Sequence, residues 1–246
     1  MTRRGAGAAA VTLAAMAAGA GSAQAQPAAP FIPRGSIVLS DETTVTRWAH
    51  TDRAVDARAR PDARARPVRR LRHFTEDGYP EVYVVLRRWR DPRGRWWLFI
   101  RLPARPNHQK GWVPEPALSR LYLVRTRLVV DRRRLRATLY ERGRRIWTSR
   151  IGVGSPASPT PGGRFWVRER IRVTRPGSLY GPWAFGTSAY SVLSDWPGGG
   201  VVGIHGTNQP WLIPGRPSHG CVRVPNPAIR RLARLMPLGT PVHISY

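Results

Sequence analysis

Cysteine and lysine are almost absent from this chain of 246 residues, in which Cys221 and Lys110 are the only examples of each. A single cysteine excludes an internal disulfide, so its thiol is either inertly buried or used chemically. Acidic residues are also few, since 14 Asp and Glu stand against 41 Lys and Arg and give a formal net charge of +27. This charge makes polyanions candidate partners, although the arginines are spread along the chain rather than gathered in one patch.

Long hydrophobic runs are missing apart from one near the N-terminus. Arg3 and Arg4 precede an apolar, Ala-rich stretch over residues 6–20, and Ala23-Gln24-Ala25 follows it. This order is typical of an export signal with its cleavage site, which we expect to span residues 1–25. The stretch is too short and too Gly-interrupted to predict stable membrane insertion after the signal is removed. We therefore expect the mature protein in the periplasm or cell wall, where nucleic acid is not a partner.

The first half of the chain shows a β-strand pattern. Residues 81–90 and 95–102 are rich in β-branched and aromatic side chains, and Asp91-Pro92-Arg93-Gly94 between them predicts a hairpin turn. Gly111-Trp112-Val113 predicts the start of another short strand. This order resembles bacterial SH3-like domains over residues 44–118, and the resemblance implies a small β-barrel that folds separately and aids wall binding.

The second half is also predicted to be mainly β. Apolar and polar residues alternate over residues 135–142, residues 146–153 follow a Gly turn, and residues 201–205 are short and apolar, all of which indicates strands. Asn226 suits a helix N-cap and Pro227 suits the first helical position. We therefore expect one short C-terminal helix in an otherwise β-rich half.

One segment concentrates residues capable of nucleophilic catalysis. His205 precedes Cys221 by sixteen positions, and His219 precedes it by two. A thiol nucleophile needs a base to take its proton and backbone donors to hold an oxyanion. Gly220 permits the sharp turn that would present N–H groups beside the thiol, and Arg223 adds positive potential that favours a thiolate. Spacing alone leaves both histidines open as the base.

The same segment resembles the catalytic domain of the L,D-transpeptidases, the YkuD-like family. The resemblance rests on His205 followed by Ser218-His219-Gly220-Cys221-Val222-Arg223, and it is supported by Ile204-His205-Gly206-Thr207-Asn208 and Thr160-Pro161-Gly162-Gly163. It covers residues 121–246. The resemblance implies a β-rich catalytic domain without a metal or an organic cofactor.

The resemblance also implies residue roles. Cys221 would be the acylated nucleophile, and His205 the base, oriented through its other ring nitrogen by a carbonyl near Gly206. Amides around Gly220 and Cys221 would form the oxyanion hole, and His219 would shape the catalytic pocket. The remaining matched positions would contact the substrate, with Arg223 pairing with a carboxylate of the substrate or of the protein: Ser218, Gly206, Thr207, Asn208 and Arg223.

The implied function is cleavage and re-formation of peptide bonds in peptidoglycan stem peptides, with release of D-Ala and formation of 3→3 cross-links. The alternatives are an L,D-carboxypeptidase, another cysteine wall hydrolase, or a non-catalytic envelope-binding protein. The predicted division of the chain is a signal peptide, a linker, an SH3-like domain and a catalytic domain, over residues 1–25, 26–43, 44–118 and 121–246.

Overall fold

The computed structural model describes residues 30–195 and 197–245, so the predicted signal peptide and the first residues of the predicted linker lie outside it. Within the described residues the chain forms nineteen β-strands and one α-helix. The prediction of a mainly β protein with one short C-terminal helix is therefore confirmed. None of the helical segments in this part of the chain is long and apolar enough to cross a membrane.

The first sheet is antiparallel and runs in the order β4-β3-β7-β6-β5-β2-β8, with β1 paired to β5. Its strands are β1 Ile37–Val38, β2 Thr46–Ala49, β3 Asp56–Arg58, β4 Pro67–Arg70, β5 Tyr83–Arg90, β6 Trp96–Arg101, β7 Lys110–Pro114 and β8 Tyr122–Val124.

The predicted hairpin is present between β5 and β6. The Asp91 carboxylate accepts hydrogen bonds from the backbone N–H groups of Arg93 and Arg95 at 3.0 and 2.8 Å, and Gly94 adopts a φ of +81°. These bonds fix the turn, since a side-chain oxygen replaces backbone partners there. The SH3-like identity of this sheet stays a prediction, as do the domain boundaries.

Two further sheets form the second half of the chain. One runs in the order β11-β10-β9-β19-β13 and the other in the order β14-β15-β16-β18-β12-β17. Their strands are β9 Thr126–Asp131, β10 Arg136–Glu141, β11 Arg144–Arg150, β12 Gly152–Gly154, β13 Gly163–Trp166, β14 Ile171–Arg172, β15 Trp183–Tyr190, β16 Val201–His205, β17 Gly215–Ser218, β18 Val222–Arg223 and β19 Pro241–Ser245.

The single α-helix, α1 (Asn226–Leu235), packs its apolar side into the core between these two sheets. Ile229, Leu232 and Ala233 are buried at helical spacing. The predicted N-cap is wrong by one residue, because Pro225 occupies that position and no side chain caps the helix. The Asn226 amide oxygen instead accepts a hydrogen bond from the Thr207 backbone N–H at 2.9 Å. It therefore ties the helix start to the end of β16.

The two halves of the chain share buried contacts. The Trp166 indole Nε1 donates to the Val82 carbonyl at 2.7 Å, and Trp166 lies in one buried cluster with Trp48. Arg168, which is 1% exposed, makes a two-point ion pair with Glu81, which is fully buried. These contacts fix the first sheet against the sheets that carry the candidate site.

Candidate active site

The histidine and the cysteine singled out by the sequence are brought together by two parallel neighbouring strands. β16 ends at His205, and β18 begins directly after Cys221, with Ile204 opposite Val222. The Gly203 backbone N–H donates to the Cys221 Sγ at 3.3 Å. A Cβ atom added to Gly203 would lie 3.6 Å from the His205 ring and 3.8 Å from that Sγ. Because Gly203 has no side chain, it leaves open the space that the His205 imidazole and the Cys221 thiol both border.

The geometry around His205 defines its tautomer. The ring is 5% exposed, and its Nδ1 lies 2.6 Å from the Gly206 carbonyl oxygen. Because a carbonyl can only accept, Nδ1 must carry the proton and Nε2 keeps a free lone pair. Burial lowers the pKa of His205 to about 4, helped by the Arg223 charge and opposed by the Gly206 bond. His205 is thus a neutral acceptor at neutral pH.

Cys221 is held as a neutral thiol. Burial raises the pKa of its thiol above the ordinary value, although the Gly203 N–H and the Arg223 charge act in the opposite direction. The sequence predicts that the arginine favours a thiolate, and this effect is present but is outweighed by burial. At neutral pH a neutral thiol and a neutral imidazole therefore face the pocket together.

The turn before the cysteine is closed by Ser218. Its hydroxyl donates to the Cys221 carbonyl at 2.6 Å and accepts from the Gly220 backbone N–H at 3.2 Å. Gly220 has a φ of +123°, a conformation that side chains with a Cβ rarely adopt, and a Cβ there would lie 3.2 Å from the Ser191 hydroxyl. The Gly220 N–H is therefore already engaged, which leaves the Cys221 N–H as the better candidate oxyanion donor.

Hydroxyl groups from other parts of the chain hold the same turn in place. Thr160 donates to the Gly220 carbonyl at 2.8 Å, and Ser158 donates to the His219 carbonyl at 2.9 Å. Ser191 donates to that His219 carbonyl at 3.2 Å. Sequence reasoning singled out the region of Thr160 only through the family resemblance and missed both serines, since an isolated serine carries no signal of a distant partner.

The predicted substrate-contacting residues differ in their surroundings. Thr207 is buried, whereas Asn208 is exposed and donates to the Gly177 carbonyl at 3.0 Å. Arg223 donates to the Gln209 side-chain oxygen at 2.9 Å. Within residues 30–195 and 197–245 it makes no ion pair with a carboxylate, and its Nε has no partner. The internal carboxylate partner predicted for Arg223 is therefore not found among the described residues.

A pocket of about 420 Å³ opens onto His205 and Cys221. Besides Cys221 and His205, its lining includes Tyr180, whose ring meets the imidazole edge-on with 4.8 Å between ring centroids. Asp77 and Tyr79 reach it from the first half of the chain. Sequence reasoning missed these last two residues, because they lie on a loop more than a hundred positions from Cys221.

The described residues hold no group of three or more His, Cys, Asp or Glu side chains arranged to bind a metal ion. Of the acidic residues near the pocket, Glu76 and Glu81 pair with arginines, whereas Asp77 and Glu169 line the pocket itself.

The chain is similar to a known protein family and to curated members of it. The model of the L,D-transpeptidase catalytic domain family, YkuD, matches residues 125–244. A curated L,D-transpeptidase YkuD of Bacillus licheniformis is 36% identical over 107 residues, which is 44% of this chain and 58% of that protein. Its counterpart in Bacillus subtilis is 31% identical over 149 residues, which is 58% of this chain and 84% of that protein. This chain thus spans less than two thirds of the first relative and more than two thirds of the second.

Solved structures of L,D-transpeptidases are also similar to parts of this chain. The catalytic domain of an E. faecium enzyme is 25% identical and covers 49% of this chain and 96% of that one, with a TM-score of 0.37. An L,D-transpeptidase from Mycobacterium tuberculosis H37Rv is 16% identical and covers 67% of this chain and 90% of that one, with a TM-score of 0.42. The matched family model and the Bacillus subtilis relative show that this chain belongs to the YkuD family of L,D-transpeptidases.

Proposed function

We propose that this chain is a cysteine-dependent L,D-transpeptidase that acts on peptidoglycan stem peptides. The observation that supports it most directly is the arrangement of Cys221, Gly203 and His205 at one open pocket, with the lone pair of His205 Nε2 free. A nucleophile, a base and an orienting carbonyl are the parts that covalent acyl transfer requires. Family membership supplies the substrate class.

In the proposed first step, the thiol attacks the carbonyl carbon of the bond between the third residue of the stem and its terminal D-Ala. His205 Nε2 takes the thiol proton as the C–S bond forms, because neither group is ionised beforehand. The C–N bond then breaks, and the imidazolium returns that proton to the leaving amine. D-Ala departs and a thioester on Cys221 remains.

The oxyanion of the tetrahedral intermediate requires a donor near the nucleophile. We assign this role to the Cys221 backbone N–H, since the Gly220 N–H donates to Ser218. The hydroxyl groups of Ser218 and Thr160 donate to the carbonyls of Cys221 and Gly220, which fixes the backbone on both sides of that amide. Fixed donors of this kind are effective because no reorganisation is needed during the reaction.

In the proposed second step, an amine of a neighbouring stem peptide attacks the thioester. The C–S bond breaks, a new amide bond forms, and the proton lost by the amine passes through His205 to the Cys221 sulfur. The product is a 3→3 cross-link. Water in place of the amine would give carboxypeptidase activity. The proposed setting is the periplasm or cell wall, where the net charge of +27 would attract anionic wall polymers.

Incubation with purified disaccharide tetrapeptides, followed by mass spectrometry, tests this function. The wild type is expected to give cross-linked dimers that are lighter than two monomers by one D-Ala, and an acylated enzyme on short incubation. Cys221→Ala should give neither product while keeping the circular dichroism spectrum of the wild type. Dimers formed by Cys221→Ala would refute the cysteine mechanism, and a wild type that yields only shortened monomers would show a carboxypeptidase.

A further inference from the structure

Acidic side chains are scarce in this protein, yet four of the fourteen meet between the first sheet and the catalytic pocket. Glu76 and Glu81 are neutralised there by Arg72 and Arg168, with N···O distances of 2.6 to 3.0 Å. The other two acidic residues are Asp77 and Glu169, and both line the pocket that contains Cys221. The pocket is therefore the place where negative charge approaches the nucleophile.

Glu169 is the buried member of this pair. It is 3% exposed, and its carboxylate packs against Gly186, where an added Cβ would lie 2.0 Å from Oε2. No arginine or lysine nitrogen lies within ion-pair distance of Glu169 among the described residues, because neighbouring Arg168 is directed to Glu81 and Glu76. Burying a carboxylate without a cation is costly unless something else compensates it.

The electrostatics agree with an uncompensated carboxylate. Burial raises the pKa of Glu169 to about 7; a hydrogen bond from Thr75 and the charge of Arg168 oppose the rise, and the charges of Asp77 and Glu76 add to it. Asp77 lies on the exposed loop of the first half, and within the described residues it also makes no ion pair with a basic side chain. The two carboxylates face the same pocket and repel each other.

A cationic ligand group would remove this repulsion. Elsewhere the protein carries a strong excess of arginine, which repels cations, so a carboxylate pair beside the thiol provides local attraction. The pocket volume of about 420 Å³ is large enough for a short peptide segment but not for a second folded chain. The peptide that reacts here therefore has room for a side chain between Cys221 and the carboxylates.

We propose that Asp77 and Glu169 bind a primary ammonium group of the stem peptide and thereby select the substrate. This inference rests on the proposed function, because it assumes that a stem peptide enters this pocket. It makes the first half of the chain, through Asp77, a direct determinant of specificity. The ammonium belongs either to the side chain of the donor's third residue or to the acceptor stem, and the two sources are separated experimentally.

The test compares two soluble tetrapeptides that end in L-lysyl-D-alanine and in L-norleucyl-D-alanine. They differ in the side-chain amine but have similar length, and D-Ala release is measured with water as the acceptor. The wild type is expected to prefer the lysine peptide in kcat/KM by about ten-fold or more, as expected for a hydrogen bond to a charged group. Asp77→Asn and Glu169→Gln should each reduce that preference. Glu141→Gln, an exposed acid on β10 outside the pocket, should leave it unchanged.

A second arm of the experiment tests whether the acceptor peptide is the source of the ammonium group. The norleucine peptide serves as the donor, a separate amine-bearing peptide serves as the acceptor, and cross-linked product is measured against acceptor concentration. A several-fold rise in acceptor KM in Asp77→Asn, with unchanged lysine preference in the first arm, assigns the ammonium to the acceptor. Loss of the lysine preference in the first arm assigns it to the donor.

The inference is overturned if Asp77→Asn and Glu169→Gln behave like Glu141→Gln in both arms while the wild type is active. Because Asp77 is exposed, Asp77→Asn gives this answer even if Glu169→Gln does not fold. A wild type that releases no D-Ala with either water or the amine as acceptor, or a Cys221→Ala variant that releases as much as the wild type, overturns the proposed function and this inference with it. The two failures are therefore distinguished by the activities of the wild type and of Cys221→Ala.

Discussion

The buried ion pair between Arg168 and Glu81 gives the strongest prediction about stability. The Arg168 Nε and Nη2 donate to the two Glu81 oxygens at 2.7 and 2.6 Å, and both side chains are almost completely excluded from water. Burial alone would lower the pKa of Arg168, but its hydrogen bonds and the charge of Glu81 raise it above the ordinary value. Arg168 therefore stays charged, and the stability of the folded protein depends on the carboxylates that neutralise this charge.

Glu81→Gln keeps the shape of the side chain but removes its charge and turns an NH₂ group toward a guanidinium donor. Removing one partner of a buried ion pair costs about 3–5 kcal/mol, because the other charge is left uncompensated. The Glu76 carboxylate, 2.8 Å from the Arg168 Nη2, retains part of the pairing, so we expect the lower end of that range. For a protein of this size, the corresponding fall in Tm is roughly 6–12 °C, at about 2–4 °C per kcal/mol.

Urea denaturation followed by tryptophan fluorescence measures the free energy of unfolding for this variant. The matched control is Glu115→Gln, because Glu115 pairs with Arg88 at 2.8 Å but both side chains are about one-third exposed. Solvent screening limits such a pair to at most about 1 kcal/mol. Adding Arg168→Met to Glu81→Gln should restore part of the lost stability, since the uncompensated guanidinium is then gone and Glu76 keeps Arg72 as its partner. An effect of Glu81→Gln no larger than that of Glu115→Gln would refute this account.

Three further predictions concern the proposed roles of the histidines, the pH dependence of stability and the two halves of the chain. His205→Ala should lower D-Ala release by about 10²–10⁴-fold, as expected for loss of a general base, whereas His219→Ala should have a much smaller effect, measured as kcat/KM on the soluble tetrapeptide. Because burial lowers the pKa of His205 from 6.5 to about 4, the folded protein binds fewer protons than the unfolded chain in that window, so stability should fall as pH falls from 6.5 through 4. Less of this loss should occur in His205→Gln, in urea titrations across the window. A truncation that starts at Ser119 should be destabilised in thermal melts, because it removes Glu81 and leaves Arg168 uncompensated.

Each of these three predictions would be contradicted by a specific result. A loss at His219 equal to that at His205 would reverse the assignment of the base. A His205→Gln variant with the same pH dependence as the wild type would show that other groups, such as His243, whose pKa burial also lowers to about 4, account for the whole effect. A truncated protein with wild-type Tm would show that the halves fold independently, which is what the sequence alone predicts.

The sequence predicted local structure well where the pattern was strong. The strand over residues 201–205, the hairpin around Asp91 and the short C-terminal helix follow from alternation, turn residues and helical spacing. His205 and Cys221 stood out because a lone thiol near two histidines is a chemically informative combination. The N-cap was misplaced because the Asn226 side chain binds Thr207, a tertiary contact that outweighs local propensity.

The sequence could not predict what depends on contacts between distant segments. Asp77 and Glu169 are ordinary acidic residues in their local context, and only the packing of the first sheet against the second half places both at one pocket. The raised pKa of the Cys221 thiol also depends on contacts with distant parts of the chain, which bury the sulfur. Sequence reasoning could identify a neighbouring arginine but could not weigh its charge against the loss of water around the sulfur.

The neutral state of Cys221 has a consequence for the durability of the enzyme. Peroxides and disulfides consume thiolates rather than thiols, so a sulfur whose pKa is raised by burial reacts slowly with them. In the proposed mechanism, His205 Nε2 accepts the proton while the sulfur attacks a carbonyl, so activation requires a seated substrate. Under the proposed mechanism, the single cysteine is therefore protected in the resting state and becomes reactive when a peptide bond occupies the pocket.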